Sequence, residues 1–88
     1  MSQNTIPGGW TLFHPLTAED KAVFEEATKG LVGVDYNPLE VSTQVVNGTN
    51  CRFLCDASIP PTEVIWKAIV EIYAAPGQRP VVTQIHRL

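Results

Sequence analysis

The sequence reads Gln44-Val45-Val46-Asn47-Gly48, then Thr49-Asn50, between two runs in which apolar and polar residues alternate. Asn-Gly between such runs predicts a β-hairpin, because both residues tolerate the positive φ angles that tight turns need. Side chains alternate across a strand, so at most one of Val45 and Val46 can face the core. The other lies outward at the tip, where exposed apolar surface is typical of a binding site.

The runs on both sides of this turn predict strands over residues 36–46 and 49–57, the second with Cys51, Phe53 and Cys55 on one face. Residues 63–75 fit a strand and a helix equally by spacing, and their β-branched and aromatic residues favour a strand. A turn and a last strand over residues 81–88 follow. Trp66, Phe53 and Phe24 are expected in the core.

A helix is predicted from Thr17, which can cap the first turn while Asp20 reaches back to it. Its apolar stripe is Val23, Phe24, Ala27 and Leu31, and Gly30 and Gly33 end it after about four turns. Residues 11–15 before it form a short linker or an edge strand. A helix followed by a four-stranded meander makes an α+β fold with the helix on one sheet face.

Composition limits the classes of partner and the cellular location that we expect for this protein. The 88 residues make one domain, and its net charge of −3 with scattered basic residues argues against nucleic acid as a partner. No segment approaches the about 20 apolar residues that span a bilayer, so no membrane partner is expected. The amino terminus has neither a basic nor an apolar signal region, which predicts a cytoplasmic protein unless a signal peptide was removed beforehand.

The cysteines offer little chemistry. Cys51 and Cys55 lie about 13 Å apart on an extended strand, whereas a disulfide needs Cα atoms within about 7 Å. We expect two buried thiols, no metal, and no cofactor. With His14 and His86 as the only histidines, buried thiols are poor nucleophiles, so we expect no enzyme.

At this point the residues resemble the cystatins, and most closely the stefin branch of small intracellular, disulfide-free inhibitors. Stefins carry Gln-Val-Val-Ala-Gly-Thr-Asn, from which residues 44–50 differ only at Asn47. A glycine before the helix is matched by Gly8 and Gly9, and a proline in the second hairpin is matched by Pro76. The order of helix and meander extends the resemblance over nearly the whole chain.

The resemblance implies a single cystatin-like domain over residues 1–88, with one helix packed across a four- to five-stranded antiparallel sheet. It implies a reversible, tight-binding, competitive inhibitor of papain-like, cathepsin-type cysteine proteases that blocks their cleft with a three-part wedge. That wedge comprises a flexible segment over residues 1–10 with Gly8 and Gly9, a first loop of Gln44, Val45, Val46, Asn47 and Gly48, and a second loop with Pro76 and Gly77. We expect a monomer, with a dimer that is domain-swapped at the first hairpin as the alternative.

Some points depart from the pattern or stay open. The second loop has no tryptophan, as in stefins, and Trp10 either lies against the protease or packs over the end of the sheet. Asn47-Gly48-Thr49 has the form of an N-glycosylation acceptor. Gly48→Glu is expected to weaken inhibition and leave the fold largely intact. The alternative function is a non-inhibitory binding or assembly module with the same fold.

Overall fold

In this computed structural model, which describes residues 9–88, one helix lies against one face of a five-stranded antiparallel sheet. The chain runs through β1 (His14–Pro15), α1 (Ala18–Thr28), β2 (Asp35–Val46), β3 (Gly48–Ser58), β4 (Ile65–Ala74) and β5 (Val81–Arg87). The strands stand in the sheet in the order β1-β2-β3-β4-β5. This confirms the predicted α+β fold, and the arrangement is consistent with the cystatin-like one.

The helix begins as the sequence predicts. The Thr17 side chain accepts a hydrogen bond from the Asp20 amide (3.1 Å), and the Asp20 carboxylate accepts one from the Thr17 amide (2.9 Å). The helix has 11 residues, which is about three turns and not four. Leu31 consequently lies beyond its end and is 39% exposed, so the predicted apolar stripe stops at Ala27.

The core lies between this helix and the sheet. The rings of Phe24 and Phe53 are 4.9 Å apart at an interplanar angle of 60°. Around them are buried residues from three strands, namely Val41, Cys51, Cys55, Val70 and Ile72. Trp66, expected in the core, is only partly buried, with the guanidinium of Arg87 4.9 Å from its ring centroid.

Both cysteines are buried and free, as predicted. Burial disfavours the thiolate and raises the pKa of Cys51 to about 11 and that of Cys55 to about 12. Among residues 9–88, no group of three or more His, Cys, Asp or Glu side chains could hold a metal ion. No helix in this part of the chain is long and apolar enough to cross a membrane.

Candidate functional site

The β2–β3 hairpin projects from one end of the sheet, which we call the hairpin end. β2 ends at Val46 and β3 begins at Gly48, so that Asn47 alone lies between the two strands. Just below the tip, the Asn50 side-chain amide donates a hydrogen bond to the Gln44 side-chain oxygen at 2.9 Å. This bond joins directly opposed residues of the two strands and holds the tip in one shape.

Both valines of the tip are exposed, Val45 by 52% and Val46 by 45%. Val45 has the same parity as buried Val41 and therefore points to the helix face, whereas Val46 points to the opposite, open face. The alternation predicted one outward valine. The structure exposes two, because at this end the core no longer covers the residue that faces the helix side.

Gly48 is required by its surroundings. Its φ is +107°, and a Cβ there would lie 2.7 Å from the Ala74 carbonyl oxygen and 2.9 Å from the Tyr73 hydroxyl. That hydroxyl donates a hydrogen bond to the carbonyl oxygen of Asn47. The tip is thus packed tightly against the end of β4. Any side chain at position 48 must displace this contact, so Gly48→Glu, expected to leave the fold largely intact, cannot leave the tip itself undisturbed.

The turn also differs in detail from the predicted one. Among residues 9–88, no residue other than glycine has a positive φ angle. Asn47 thus does not share the left-handed conformation that we expected of both turn residues. It is exposed at the tip, with its backbone carbonyl held by Tyr73.

The segment before the helix lies along β2 and reaches the hairpin end. Trp10 forms an antiparallel bridge with Gln44. Next to it, the Thr11 amide donates to the Thr43 carbonyl at 2.9 Å, and the Ser42 hydroxyl donates to the Thr11 carbonyl at 2.6 Å. These bonds fix the backbone of this segment beside the first loop.

The Trp10 ring lies on the open face of the sheet, with the Arg52 guanidinium 3.9 Å from its centroid. This contact agrees with packing against the sheet, one of the two interpretations of Trp10, and the ring remains partly exposed. Gly9 precedes it directly. Gly8 and the remainder of the expected flexible segment lie outside the described residues.

The second loop begins beside the hairpin tip, because Ala74 at the end of β4 pairs with Thr49 of β3. It continues through Pro76 and Gly77, both exposed, and the φ of Gly77 is +69°. Trp10, the first loop and the second loop thus lie at the same end of one sheet. Of the predicted site residues within residues 9–88, Gly9, the first loop from Gln44 to Gly48, and Pro76-Gly77 all lie at this end.

An ion pair that the sequence did not reveal links the second loop to the helix. The Arg79 Nε lies 2.7 Å from a carboxylate oxygen of Glu26, whose other oxygen is 3.2 Å from the Lys29 ammonium. These two cations lower the pKa of Glu26, Lys29 having the larger effect. No local pattern connects residues so distant in sequence. Only the tertiary fold places the loop next to the helix.

A cleft of about 330 Å³ lies between the helix amino terminus and the hairpin end. Helix residues Glu19, Asp20 and Val23 line one side, and Val45 and Ala74 are among the residues on the other. Val45 therefore has open space beside it on the helix side. The sequence could not predict this cleft, because it depends on the angle at which the helix crosses the sheet.

No protein-family model, curated protein or solved structure matches this chain. The fold and the hairpin end define it as a small α+β protein with an exposed apolar β-turn between two supporting segments. The likeness to the cystatins rests on the residues of that turn, the flanking glycine and proline, and the order of the elements.

Proposed function

We propose that this protein is a reversible, competitive inhibitor of papain-like cysteine proteases, and that its hairpin end enters the protease cleft. The observation that supports this most strongly is the exposure of Val45 and Val46 on a turn that is held by the hydrogen bond from Asn50 to Gln44. Trp10 and the second loop at Pro76-Gly77 lie at the same end. This is the arrangement that a three-part wedge requires.

The geometry suits a long groove with a reactive thiolate at its centre. An inhibitor that is not cleaved must fill such a groove without holding a peptide bond in attack geometry. The tip is ordered before binding by the Asn50–Gln44 bond and by the packing of Gly48 on β4, so little conformational entropy is lost on docking. Residues 44–50 carry no charged side chain, so the tip enters without the large cost of desolvating a charge.

Inhibition of this kind is non-covalent. The inhibitor's own thiols, Cys51 and Cys55, are buried and have raised pKa values, so they stay protonated and do not react with the enzyme's cysteine. Affinity then depends on apolar surface and shape complementarity. The cytoplasmic location predicted from the sequence is part of the same proposal.

One observation favours the second candidate, a non-inhibitory module of the same fold. The second loop, over residues 75–80, contains no aromatic side chain that could anchor it in a pocket. A weak second contact would leave the hairpin to supply most of the affinity. Titration of a papain-like protease separates the two candidate functions.

The test is titration of active papain with the purified protein at several substrate concentrations. We expect competitive, reversible inhibition, with the protein recovered uncleaved. Absence of inhibition at micromolar protein contradicts the proposal and favours the binding module.

A matched pair of variants tests the site. Val45→Asp places a charge where the cleft must desolvate it and should abolish tight inhibition. Val64→Asp is the control, because Val64 is 60% exposed next to the first residue of β4, at the opposite end of the sheet. If both variants inhibit as well as the parent, the hairpin is not the contact.

A further inference from the structure

The hairpin tip carries a feature that binding alone does not explain. Asn47 is exposed at the turn, and the next residue, Gly48, has no side chain to keep its backbone nitrogen away from the Asn47 side-chain amide. We propose that Asn47-Gly48 is a self-modifying site, at which the Asn47 amide is lost as ammonia and a carboxylate takes its place.

The reaction needs only water. The Gly48 backbone nitrogen loses its proton and forms a bond to the side-chain carbonyl carbon of Asn47. The bond from that carbon to the side-chain amide nitrogen breaks. This nitrogen takes up a proton and leaves as ammonia. Water then opens the cyclic imide at either carbonyl, which leaves aspartate or isoaspartate at position 47. No oxidant, reductant or cofactor takes part.

Tyr73 is placed to promote the first step. When the Gly48 amide loses its proton, the negative charge is shared with the carbonyl oxygen of Asn47, because both belong to one peptide group. The Tyr73 hydroxyl donates a hydrogen bond to that oxygen. A donor aimed at an oxygen where charge develops stabilises the reacting state. Tyr73 thus makes the Gly48 nitrogen easier to deprotonate.

Two other asparagines serve as internal controls. Asn37 is followed by Pro38, whose nitrogen has no proton to lose and cannot attack. Asn50 lies within β3, where its side chain donates to Gln44 and its backbone belongs to the sheet. We expect both to keep their amides while Asn47 reacts.

The product would carry a negative charge between the tip valines and the second loop. If the proposed function holds, aged protein inhibits papain less well than fresh protein, and this consequence rests on the proposed function. The chemistry itself does not. A mass measurement follows the conversion without any protease, so failure of one proposal is distinguishable from failure of the other.

The test is storage of the whole protein at mildly alkaline pH, followed by trypsin digestion and fragment mass spectrometry. Asn37, Asn47 and Asn50 fall in the same tryptic peptide, residues 30–52, so their conversion is compared within one molecule. We expect the mass of residue 47 to increase by the difference between an amide and an acid, and the masses of Asn37 and Asn50 to remain unchanged. If Asn50 converts as fast as Asn47, the proposal is overturned. This comparison uses the parent protein alone and so does not depend on any variant being folded.

Tyr73→Phe isolates the role of the hydroxyl, with circular dichroism to show that the variant is folded. We expect slower conversion of Asn47 in the folded variant than in the folded parent. In denaturant the two chains should convert at the same rate, because the contact is then absent. An unchanged or faster rate in the folded variant shows that the hydroxyl only restrains the tip, and refutes its proposed role.

Discussion

Truncation of the two tip valines measures what the exposed turn contributes to binding. Val45 is 52% and Val46 45% exposed, so together they offer about one complete valine side chain to a partner. Full burial of such a side chain stabilises by about 1.5–3 kcal/mol, of which alanine retains a part. We expect Val45→Ala combined with Val46→Ala to weaken inhibition of papain by about 1.5 kcal/mol, or about tenfold.

The assay is a series of progress curves with a fluorogenic peptide substrate, from which the inhibition constant is obtained for each variant. Val64→Ala is the control, since it removes the same atoms as each single tip substitution, from an exposed valine at the opposite end of the sheet. Urea denaturation of each variant checks that stability is little changed, as expected for exposed positions. If the inhibition constant is unaltered in the double variant, or altered equally in the control, the tip valines do not contact the protease.

The remaining predictions concern stability and are all measured by urea denaturation. Thr17→Ala removes the helix cap and should lower the free energy of unfolding by about 1 kcal/mol, while Thr17→Ser restores most of it. Gly77→Ala introduces only backbone strain and should lower the free energy of unfolding by about 1–2 kcal/mol. Gly48→Ala adds a clash with a backbone oxygen at 2.7 Å and should lower it clearly more. Equal losses would show that the clash is relieved. Because burial raises the pKa values of Cys51 and Cys55 from 9.0 to about 11 and about 12, the folded state keeps protons that the unfolded state loses. Stability should fall as the pH rises above 9.0, and less steeply when both are alanine; a fall of the same slope in that variant contradicts this assignment.

Local signals in the sequence predicted most of the fold. Alternating side chains gave the β2–β3 hairpin, and the Thr17–Asp20 pair gave the start of the helix, because each depends on residues close together in the chain. An outward valine at the tip was predicted for the same reason, although the structure exposes both Val45 and Val46. The backbone conformation of the turn was not predicted. Gly48 has a positive φ and Asn47 does not, and this depends on how the tip packs against β4.

The parts that could not be predicted depend on contacts between distant segments. Leu31 suggested a longer helix than the one that forms, and Trp66 looked like a core residue although Arg87 and solvent share its surface. The ion pair between Arg79 and Glu26 joins a loop and a helix that are separated in the chain by β2, β3 and β4. Sequence spacing carries no information about such pairs.

In the proposed complex the hairpin end, and no other surface, contacts the protease. Hydrogen exchange of the backbone amides, measured for the protein alone and bound to papain, tests it most directly. We expect slower exchange in the complex at residues 9–10, 45–48 and 75–78, with no change at residues 58–65 at the opposite end. Protection at the opposite end, or no protection of the hairpin in a formed complex, would contradict it.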